Sequence, residues 1–565
     1  MARMQLRVEK RWGLGLVAML LIAAPAVVVR LGGSDVRYHM EVLTFASSQE
    51  TWQRQEQGEA QAWRLPSLNG APRVKKPPMS VWVNLLAWSG LGPDAPVEAL
   101  ALRARLAGVA LMGVMLASMF WLGVQTQGVR LGFLAALATG TMLLTIKQGR
   151  MATYDAHLAG WLTLAIAAGC QAVGNVPALT AGRRGAVALV AGLALAAAIL
   201  TKGPLAIPLA VIPWVVLAWG NRVPLWRAGW FTVLALVVAV LVVTPWYVQI
   251  LGGVDGAGAV LWREYRANRD QGSGPWHYAQ LLPLVFPWSL AFAGGLVFPF
   301  LVAREQRRRW LQAWLWLVLA FVLMSLSETK RVRYILPLLP PVGLLVAGFW
   351  QAWPDLMVRP WAQRLNRAHW GMLEVGALVV AVLPWGQGAL LRTGMMHAVE
   401  FPVRPAWTAL LAGVGLWWLA RVGRQAWVRG QANWAAVCTA LWMAVAATFG
   451  NYFYVESRHG HFTERAEIVR VGGMVGRAEL RYLELDVRQQ RQPDAKLLLY
   501  MRRAIPPVED RALAGLAADG AFVIARVTAE HGAALEAAGF RERCRFSDGR
   551  RKLALYAVAA RGNWP

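Results

Sequence analysis

Long apolar stretches recur along this chain of 565 residues and restrict what it can fold into. Each runs for roughly 17–25 residues, about the length that a helix needs to cross ~30 Å of hydrocarbon. Only 16% of the residues are charged, against roughly a quarter in soluble domains. We predict an all-α polytopic membrane domain over residues 1–455 with about thirteen transmembrane helices. The predicted spans lie near residues 13–31, 104–124, 130–147, 154–173, 185–201, 204–219, 228–251, 279–302, 311–326, 334–352, 371–390, 405–421 and 434–454.

The first apolar stretch has a second interpretation. Lys10 and Arg11 precede it, and it contains an Ala-Ala-Pro-Ala run, a pattern that is also typical of a signal peptide. A retained helix fits better, because a polar segment with a candidate acidic site follows directly.

The net charge of +27 does not indicate nucleic-acid binding, because the arginines fall between the apolar stretches and form no basic face with interleaved aromatics. With the N-terminus inside, the short inner loops hold Arg183, Arg184, Arg222, Arg227, Arg304, Arg307, Arg308, Arg309, Arg359, Arg364, Arg367, Arg421, Arg424 and Arg429. This is the positive-inside pattern. It predicts a multi-pass membrane protein whose N-terminus lies on the inner side and whose C-terminal domain lies on the outer side.

Residues 32–103 form the first predicted outer loop. Short amphipathic pieces at Arg37–Ser48, Ala60–Leu65 and Val81–Trp88 predict helices that lie along the membrane surface. A plain loop with incidental prolines is the alternative, although ~70 residues of such loop would be unusual in a compact protein.

Two charged residues of this loop are candidates for chemistry. Asp35 lies just past the first span, beside Arg37 and Tyr38, where a carboxylate without a role would be costly. Lys76 is followed by two prolines, which fix the backbone and present the lysine on a stiff extended turn. Such a pair suits an enzyme that handles an anionic lipid at the bilayer surface.

Cations on the outer side are few. They are Lys76, Arg150, Lys202, Arg263, Arg266, Arg269, Lys330, Arg331 and Arg333. Any one of them could simply extend to the headgroup level. As a set they favour a phosphate site, because lipid phosphates are the anions at that depth and arginine matches phosphate geometry.

Few signals point to a bound cofactor. The three cysteines lie far apart, and no Walker loop, GxGxxG turn or HExxH helix occurs, which argues against an ATP-driven pump, a dinucleotide enzyme or a metalloprotease. His459 and His461, flanked by Glu456 and Glu464, could bind a divalent metal, but polar residues at a membrane exit explain them as well. We predict no metal centre.

The composition becomes charged after about Glu456, and residues 456–565 are predicted to form a small soluble α/β domain with a structural or docking role. The apolar runs Lys496–Met501, Ala521–Val527 and Lys552–Val558 predict strands. Val508–Asp519 and Thr528–Ala538 between them predict helices.

Short motifs of the first 350 residues resemble those of bacterial GT-C glycosyltransferases, in the order of that family. They read SDVRY at 34–38, LPSLNG at 65–70, KKPPMSVW at 75–82, Gly149-Arg150 with Asp155, Thr201-Lys202-Gly203-Pro204, Pro245-Trp246-Tyr247, Gly274-Pro275-Trp276 with Tyr278, Phe286-Pro287-Trp288, and Ser325-x-Ser327 through Lys330 to Tyr334-Ile335-Leu336-Pro337. The relatives are lipid A aminoarabinose transferases and dolichyl-phosphate-mannose protein mannosyltransferases. Val36 departs from the pattern, since many members have a second acid there.

The resemblance implies a transferase of a bacterial inner membrane that moves a sugar from a polyprenyl (undecaprenyl) phosphate carrier to lipid A, another envelope glycolipid or a protein, with inversion. The inner side of that membrane is then the cytoplasm, where the N-terminus is expected, and the outer side is the periplasm, where the C-terminal domain is expected. Such a transfer needs a carboxylate for the acceptor and cations for the departing phosphate, but no nucleotide cofactor. We expect Asp35 and Asp155 to act as the catalytic acids. The expected phosphate ligands are Lys76, Arg150, Lys202, Arg263 and Arg266, and further candidates are Arg37, Tyr38, Lys330 and Tyr334.

Two other classes stay open. A polytopic transporter of lipids or solutes would need ionisable residues in mid-membrane or inverted repeats, whereas the charges here gather at one edge. A membrane scaffold would not explain the motifs in register. The sugar, the acceptor and the oligomeric state are not indicated.

Overall fold

The computed structural model describes residues 14, 17–18, 20–33, 35–36, 38–92, 94–174, 180–266, 275–326, 330–392, 403–458, 463–483, 493–549 and 551–558. The chain divides into two compact units. The first comprises Met1–Ser34, Val74–Ser80 and Arg105–Ser457, and the second comprises Asp35–Arg73, Val81–Ala104 and Arg458–Pro565. The second unit therefore joins the predicted first outer loop with the C-terminal segment.

The first unit is helical. Its helices are 20–28, Val97–Gln127 (which begins in the second unit), Val129–Gly140, Leu143–Gly149, Tyr154–Val173, Ala181–Lys202, Ala206–Gly220, Leu225–Gly253, Ala257–Arg266, Leu281–Leu284, Ser289–Leu301, Arg304–Ser325, Leu339–Leu356, Pro360–Arg392, Val403–Val428 and Ala432–Arg458, with 3-10 turns at Pro275–Gln280 and Val332–Leu338.

Several of these helices are suited to a membrane. Among the described residues, six are long and apolar enough to cross one, and two bent pairs, Val129–Gly140 with Leu143–Gly149 and His277–Leu284 with Ser289–Leu301, would raise the number to eight. The polytopic helical prediction is thus confirmed in outline, whereas thirteen spans remain a prediction.

Small residues allow close helix packing in this unit. A Cβ atom on Gly192 would lie 2.6 Å from the Ala235 carbonyl oxygen of a neighbouring helix. Membrane helices, which gain little hydrophobic energy by leaving lipid, commonly associate through such close approaches. The same packing places Tyr154–Val173 against both Ala181–Lys202 and the turn Val332–Leu338, so that the ends of three elements meet.

The front part of the second unit is formed by the loop after the first span. It contains the helix His39–Glu56, a 3-10 turn at Ala62–Arg64, the strands β1 (Ser67–Leu68) and β2 (Ala71–Pro72), and the helix Met79–Trp88, whose first two residues belong to the first unit. The strands are antiparallel. Asn69 and Gly70 join them with φ angles of 57° and 78°, as a two-residue hairpin turn of this kind requires. Helical structure therefore lies at all three predicted amphipathic pieces.

The C-terminal part of the second unit contains a five-stranded sheet. Its strands are β3 (Leu480–Leu483), β4 (Pro507–Val508), β5 (Phe522–Arg526), β6 (Phe540–Ser547) and β7 (Lys552–Val558), in the order β4-β3-β5-β7-β6. The first three are parallel, and β7 is antiparallel to both β5 and β6. The helices are Thr463–Val475, Ala495–Met501, Leu513–Ala518 and Ala529–Ala537, with a 3-10 turn at Asp510–Ala512. Val523, Leu535, Phe540 and Tyr556 belong to the core between them.

One element of this part differs from the sequence prediction. The run Lys496–Met501, predicted as a strand, lies in the helix Ala495–Met501. The Asp494 side chain caps this helix by accepting from the Lys496 amide at 2.9 Å, and none of the residues that follow in it is β-branched, which favours helix. The prediction was wrong because burial of the run on several sides hides its helical period.

Candidate functional site

The buried carboxylate of Asp155 lies between two cations in the first unit. One oxygen, Oδ1, accepts from the Lys202 ammonium, and the other, Oδ2, lies 2.9 Å from Nε of Arg333. The side chain of Asp155 is only 4% exposed, and those of Lys202 and Arg333 are 19% and 15% exposed. One carboxylate thus stands against two cations, which leaves the cluster one positive charge in excess.

Local sequence explains why these groups sit at the ends of their helices. Thr153 caps the helix Tyr154–Val173, with its side chain accepting from the Ala156 amide, so Asp155 falls in the first turn. Lys202 is the last residue of the helix Ala181–Lys202, and Gly203 follows as its C-cap residue with a φ of 102°. A carboxylate at a helix N-terminus and an ammonium at a C-terminus are each stabilised by the helix dipole.

The turn Val332–Leu338 supplies the remaining members of the cluster. The Tyr334 ring lies beside both cations, with its centroid 3.8 Å from Lys202 Nζ and 5.3 Å from the Arg333 guanidinium carbon. Cations over an aromatic ring are held in place by its negative face. The structure therefore brings together Asp155, Lys202 and Tyr334, three residues singled out from the sequence.

The Lys76 segment is attached to the helix that carries Asp155. Ser80 lies four residues after Lys76, and its hydroxyl oxygen is 3.0 Å from Nδ1 of His157. His157 is two residues beyond Asp155, and both partners of this contact are buried. Lys76 itself is half-buried, and the two prolines that follow it in the sequence are buried. The contact between Ser80 and His157 was not predicted from the sequence.

A buried tyrosine lies in a turn that packs against the one carrying Arg333. The 3-10 turns Pro275–Gln280 and Val332–Leu338 contact each other. Tyr278 in the first turn is 1% exposed, and its hydroxyl has no hydrogen-bond partner within the described part of the chain. A buried hydroxyl without a partner is costly, so this group is a candidate to bind a ligand.

Arg150 is engaged by backbone carbonyls. Its Nη1 donates to the carbonyl oxygens of Val27 and Val29, each at 2.8 Å. Arg105 donates to the next part of the same segment, at Leu31. Arg150 thus satisfies carbonyls at and just after the C-terminal end of the helix 20–28, where such groups lack helical partners, and Arg105 satisfies one in the turn that follows. A role of Arg150 in binding phosphate stays a prediction.

Asp35 lies in the second unit and pairs with Arg465. Nη1 of Arg465 is 3.2 Å from Asp35 Oδ1, while Nη2 of the same guanidinium contacts Glu98. The guanidinium also lies 5.7 Å from the ring centre of Tyr500, and the Tyr500 hydroxyl donates to the carbonyl of Val36 at 3.4 Å. The C-terminal segment therefore holds both the side chain of Asp35 and the backbone next to it.

The remaining predicted site residues either lie near the ends of elements or fall outside the described part of the chain. Tyr38 precedes the helix His39–Glu56 as its N-cap residue, and Lys330 is half-buried just before the turn Val332–Leu338. Arg37, His459 and His461 lie outside the described residues, as do the side chains of Arg263 and Arg266. Across the described ranges no group of three or more His, Cys, Asp or Glu side chains could hold a metal ion.

The cluster around Asp155 is suited to holding an anion. A rigid carboxylate orients two cations in a place of low exposure, and their excess positive charge is attracted to a phosphate. Arg333, Tyr278 and Arg465 were not among the predicted site residues. Arg333 appeared among the outer cations and Tyr278 within a motif, whereas nothing in the sequence near Arg465 indicates that it meets Asp35.

Comparison with known proteins identifies several transferases as relatives, although no family model matches the chain. The chain is 29% identical over 366 residues to an undecaprenyl phosphate-alpha-4-amino-4-deoxy-L-arabinose arabinosyl transferase of Sodalis glossinidius, covering 62% of each protein. It is 31% identical to a transferase of the same name from Pseudomonas fluorescens over 232 residues, 38% of this chain and 40% of that one. The matches span about three fifths of the length of the first such relatives.

Solved structures show the same fold over nearly the whole chain. The crystal structure of ArnT from Cupriavidus metallidurans bound to undecaprenyl phosphate has a TM-score of 0.72 and 20% identity, and covers 96% of this chain and 98% of that one. The archaeal oligosaccharyltransferase AglB from Archaeoglobus fulgidus, in complex with an inhibitory peptide and a dolichol-phosphate, has a TM-score of 0.51 and 11% identity, covering 99% and 75%. In sequence and in fold, the chain resembles ArnT and with it the GT-C glycosyltransferases.

Proposed function

We propose that this protein is an integral-membrane glycosyltransferase that moves 4-amino-4-deoxy-arabinose, or a closely similar pentose, from undecaprenyl phosphate to a lipid A-type envelope glycolipid. The observation that carries the proposal is the ion-pair cluster of Asp155, Lys202 and Arg333. It lies in a helical unit of a chain that shares its fold with ArnT.

The cations of the cluster would act on the donor. Lys202 and Arg333 would bind the lipid phosphate and stabilise the negative charge that grows on it as the bond to the sugar breaks. Asp155 keeps both cations in place, because each of its oxygens contacts one of them. Ser80, four residues after Lys76, contacts the same helix at His157, and we assign Lys76 to the donor site as a further phosphate ligand. The lipid phosphate is itself the leaving group, so the reaction needs no nucleotide.

The carboxylates would act on the acceptor. An acceptor oxygen becomes a better nucleophile when a carboxylate takes its proton or orients it. We assign this role to Asp35 or Asp155, which belong to different units. A single displacement of the carrier lipid's phosphate by that oxygen inverts the configuration at the sugar carbon.

We further propose that the chain crosses the membrane about thirteen times, with the N-terminus in the cytoplasm and residues 456–565 in the periplasm. The arginine asymmetry supports this orientation. A reporter that is active only in the periplasm tests it when fused after Pro565, where activity is expected, and after Arg309, where none is expected. Activity at Arg309 contradicts the orientation.

Mass spectrometry of membrane lipids tests the activity. The gene is expressed in a bacterium that makes undecaprenyl phosphate-linked aminoarabinose but lacks its own transferase, and lipid A is compared with that of cells carrying Asp155→Asn. A mass increase of one aminopentose in the wild type alone is expected. An unmodified lipid A together with another glycolipid that has gained the sugar would change the acceptor. Unmodified lipids of every class, with the protein present in the membrane, would contradict the proposal.

A further inference from the structure

A groove of about 700 Å³ lies within the second unit, apart from the residues discussed above. One wall is the C-terminal half of the helix His39–Glu56, another is the hairpin of β1 and β2, and a third is the segment Arg502–Ala504. The volume falls within the roughly 300–1,000 Å³ typical of ligand sites. Neither the candidate acids nor the phosphate-binding candidates line it.

The walls of the groove are fixed by hydrogen bonds. Both carboxylate oxygens of Glu50 accept from the hairpin, one from the Asn69 amide at 2.6 Å and the other from the Gly70 amide at 2.9 Å. Gln53 donates to the Arg502 carbonyl oxygen at 2.9 Å. Burial also lowers the pKa of the Arg502 guanidinium, against the opposite effect of Asp94. The groove is therefore preformed and partly withdrawn from water.

Ser67 supplies a polar group in the groove without a visible role. The residue is 2% exposed, and its hydroxyl has no hydrogen-bond partner among the residues for which the structure gives coordinates. An unpartnered buried hydroxyl destabilises the protein relative to one that has a hydrogen-bond partner. A ligand that hydrogen-bonds to it would recover that loss.

The charges of the groove cancel. Three carboxylates, Glu50, Glu56 and Glu59, face three guanidiniums, Arg54, Arg502 and Arg503. Arg54 is already bound to Glu59, at 2.9 Å from Nε and 2.6 Å from Nη2. A bare anion or cation is thus not favoured. Neighbouring donors and acceptors suit a ligand that carries many hydroxyl groups.

The groove also contains an aromatic surface. Trp52 is half-buried in the wall and packs against Trp88 on one side, with ring centres 5.8 Å apart. A tryptophan combines a flat apolar face with a polar edge. Sugar rings have the matching properties, since their C–H groups form an apolar face and their hydroxyls form a polar rim.

We propose that this groove binds an oligosaccharide part of the acceptor glycolipid, at a distance from the acceptor atom that reacts. The inference rests on the proposed function. Asp35 lies before the helix His39–Glu56, whereas Gln53 in the groove lies fourteen residues into it, roughly 20 Å farther along the axis. Contacts this far from the reacting atoms select the acceptor and supply binding energy for its orientation.

Titration calorimetry of the full-length protein in lipid nanodiscs tests the proposal with two probes. One is the delipidated oligosaccharide obtained by mild acid hydrolysis of lipopolysaccharide, and the other is free 4-amino-4-deoxy-arabinose, which represents the donor sugar. The variants are Ser67→Ala and Trp52→Leu. Ser47→Ala is the matched control, because Ser47 is equally buried in the same unit, also has a hydroxyl without a described partner, and lies outside the groove.

The wild type is expected to bind the oligosaccharide, and Ser67→Ala to weaken that binding roughly three- to tenfold without lowering the melting temperature. Trp52→Leu should weaken it further, and Ser47→Ala should leave it unchanged. If Trp52→Leu does not fold, the oligosaccharide affinity of Ser67→Ala, compared with that of the wild type, still tests the proposal.

Three results would overturn the proposal. The wild type does not bind the oligosaccharide, or Ser67→Ala binds it as tightly as the wild type, or Ser67→Ala weakens the binding of free aminoarabinose and not that of the oligosaccharide. The last result would assign the groove to the donor sugar.

Binding of undecaprenyl phosphate is measured on the same samples. If the wild type does not bind undecaprenyl phosphate, the proposed function is contradicted. The proposal for the groove is still tested separately, since the oligosaccharide titration needs no donor.

Discussion

The side-chain amide of Asn69 pairs with the backbone of Ile505 in the manner of a neighbouring strand. Its Nδ2 donates to the Ile505 carbonyl oxygen at 3.0 Å, and its Oδ1 accepts from the Ile505 amide at 2.6 Å. Asn69 is buried and has a φ of 57°, which asparagine tolerates better than most residues. The asparagine of the Asn-Gly pair thus ties the first loop to a segment more than four hundred residues later.

We predict that Asn69→Ala destabilises the second unit by about 2–4 kcal/mol, because the amide and carbonyl of Ile505 both lose their partner in a buried place. Limited proteolysis across a temperature series, followed at the C-terminal segment, measures the effect. Asn433→Ala is the control, since the described hydrogen bond of its side chain is one that it accepts from Arg130 at an exposed position. Equal proteolysis of the two variants would show that the pairing contributes little.

Asp155→Asn should separate catalysis from donor binding. Asparagine keeps the shape of the side chain but removes the charge that opposes Lys202 and Arg333. Transfer is expected to fall at least about a hundredfold, while the affinity for undecaprenyl phosphate stays equal or rises because the cations gain attraction for phosphate.

Enzyme kinetics and a donor-binding titration check this separation. Glu374→Gln, a carboxylate of the same unit near Arg421 and Arg424, serves as the control. Near-normal transfer by Asp155→Asn would remove this acid from the chemistry.

Lys202→Met and Arg333→Met should each weaken the use of the donor. Loss of a charge-assisted contact with phosphate costs about 1.5–3 kcal/mol, or roughly ten- to a hundredfold in kcat/KM. Arg333→Lys should recover only part of the loss, because lysine lacks the planar fork of arginine. Donor titrations in transfer assays measure both effects, with Arg421→Met as a control at a half-exposed position. Unchanged donor kinetics in both methionine variants would place the phosphate elsewhere.

Tyr278→Phe should reduce transfer without destabilising the protein. The substitution removes only the buried hydroxyl that lacks a described partner, so a merely structural role predicts equal or greater stability. We expect the melting temperature to be maintained and kcat/KM to fall about threefold to tenfold. Thr448→Val removes another buried hydroxyl of this kind, outside the motifs and the candidate site, and should leave transfer unchanged. Full activity of Tyr278→Phe would show that its hydroxyl does not act on the substrate.

Arg465 is predicted to position Asp35. Arg465→Met should lower kcat more than it raises KM, because Asp35 and the Tyr500 contact lose their common partner. Arg465→Lys should restore part of kcat. In the double variant with Asp35→Asn, the second change should have little further effect, since residues that act together give non-additive losses. Fully additive losses would mean that Arg465 acts independently of Asp35.

Much of the architecture follows from the local sequence. Apolar stretches of membrane-crossing length predict the helices, and the shift to charged residues near Glu456 predicts a change of fold class before the sheet of β3 to β7. Periodicity, caps and turn residues act within a few positions, so these features can be recognised without knowledge of contacts. The strand predicted at Lys496–Met501 failed because a run buried on several sides does not reveal its period.

The sequence by itself determined which side chains are unusual for their place, such as a carboxylate at Asp155 and a lysine at Lys202, both at the ends of apolar helices. Only the tertiary structure decided their partners. Arg333 meets Asp155, and Arg465 meets Asp35 across 430 positions of the chain, because packing of separate elements brings distant residues together. An ion pair forms when two opposite charges lie a few ångströms apart in the folded protein. The number of residues between them in the sequence does not predict that distance.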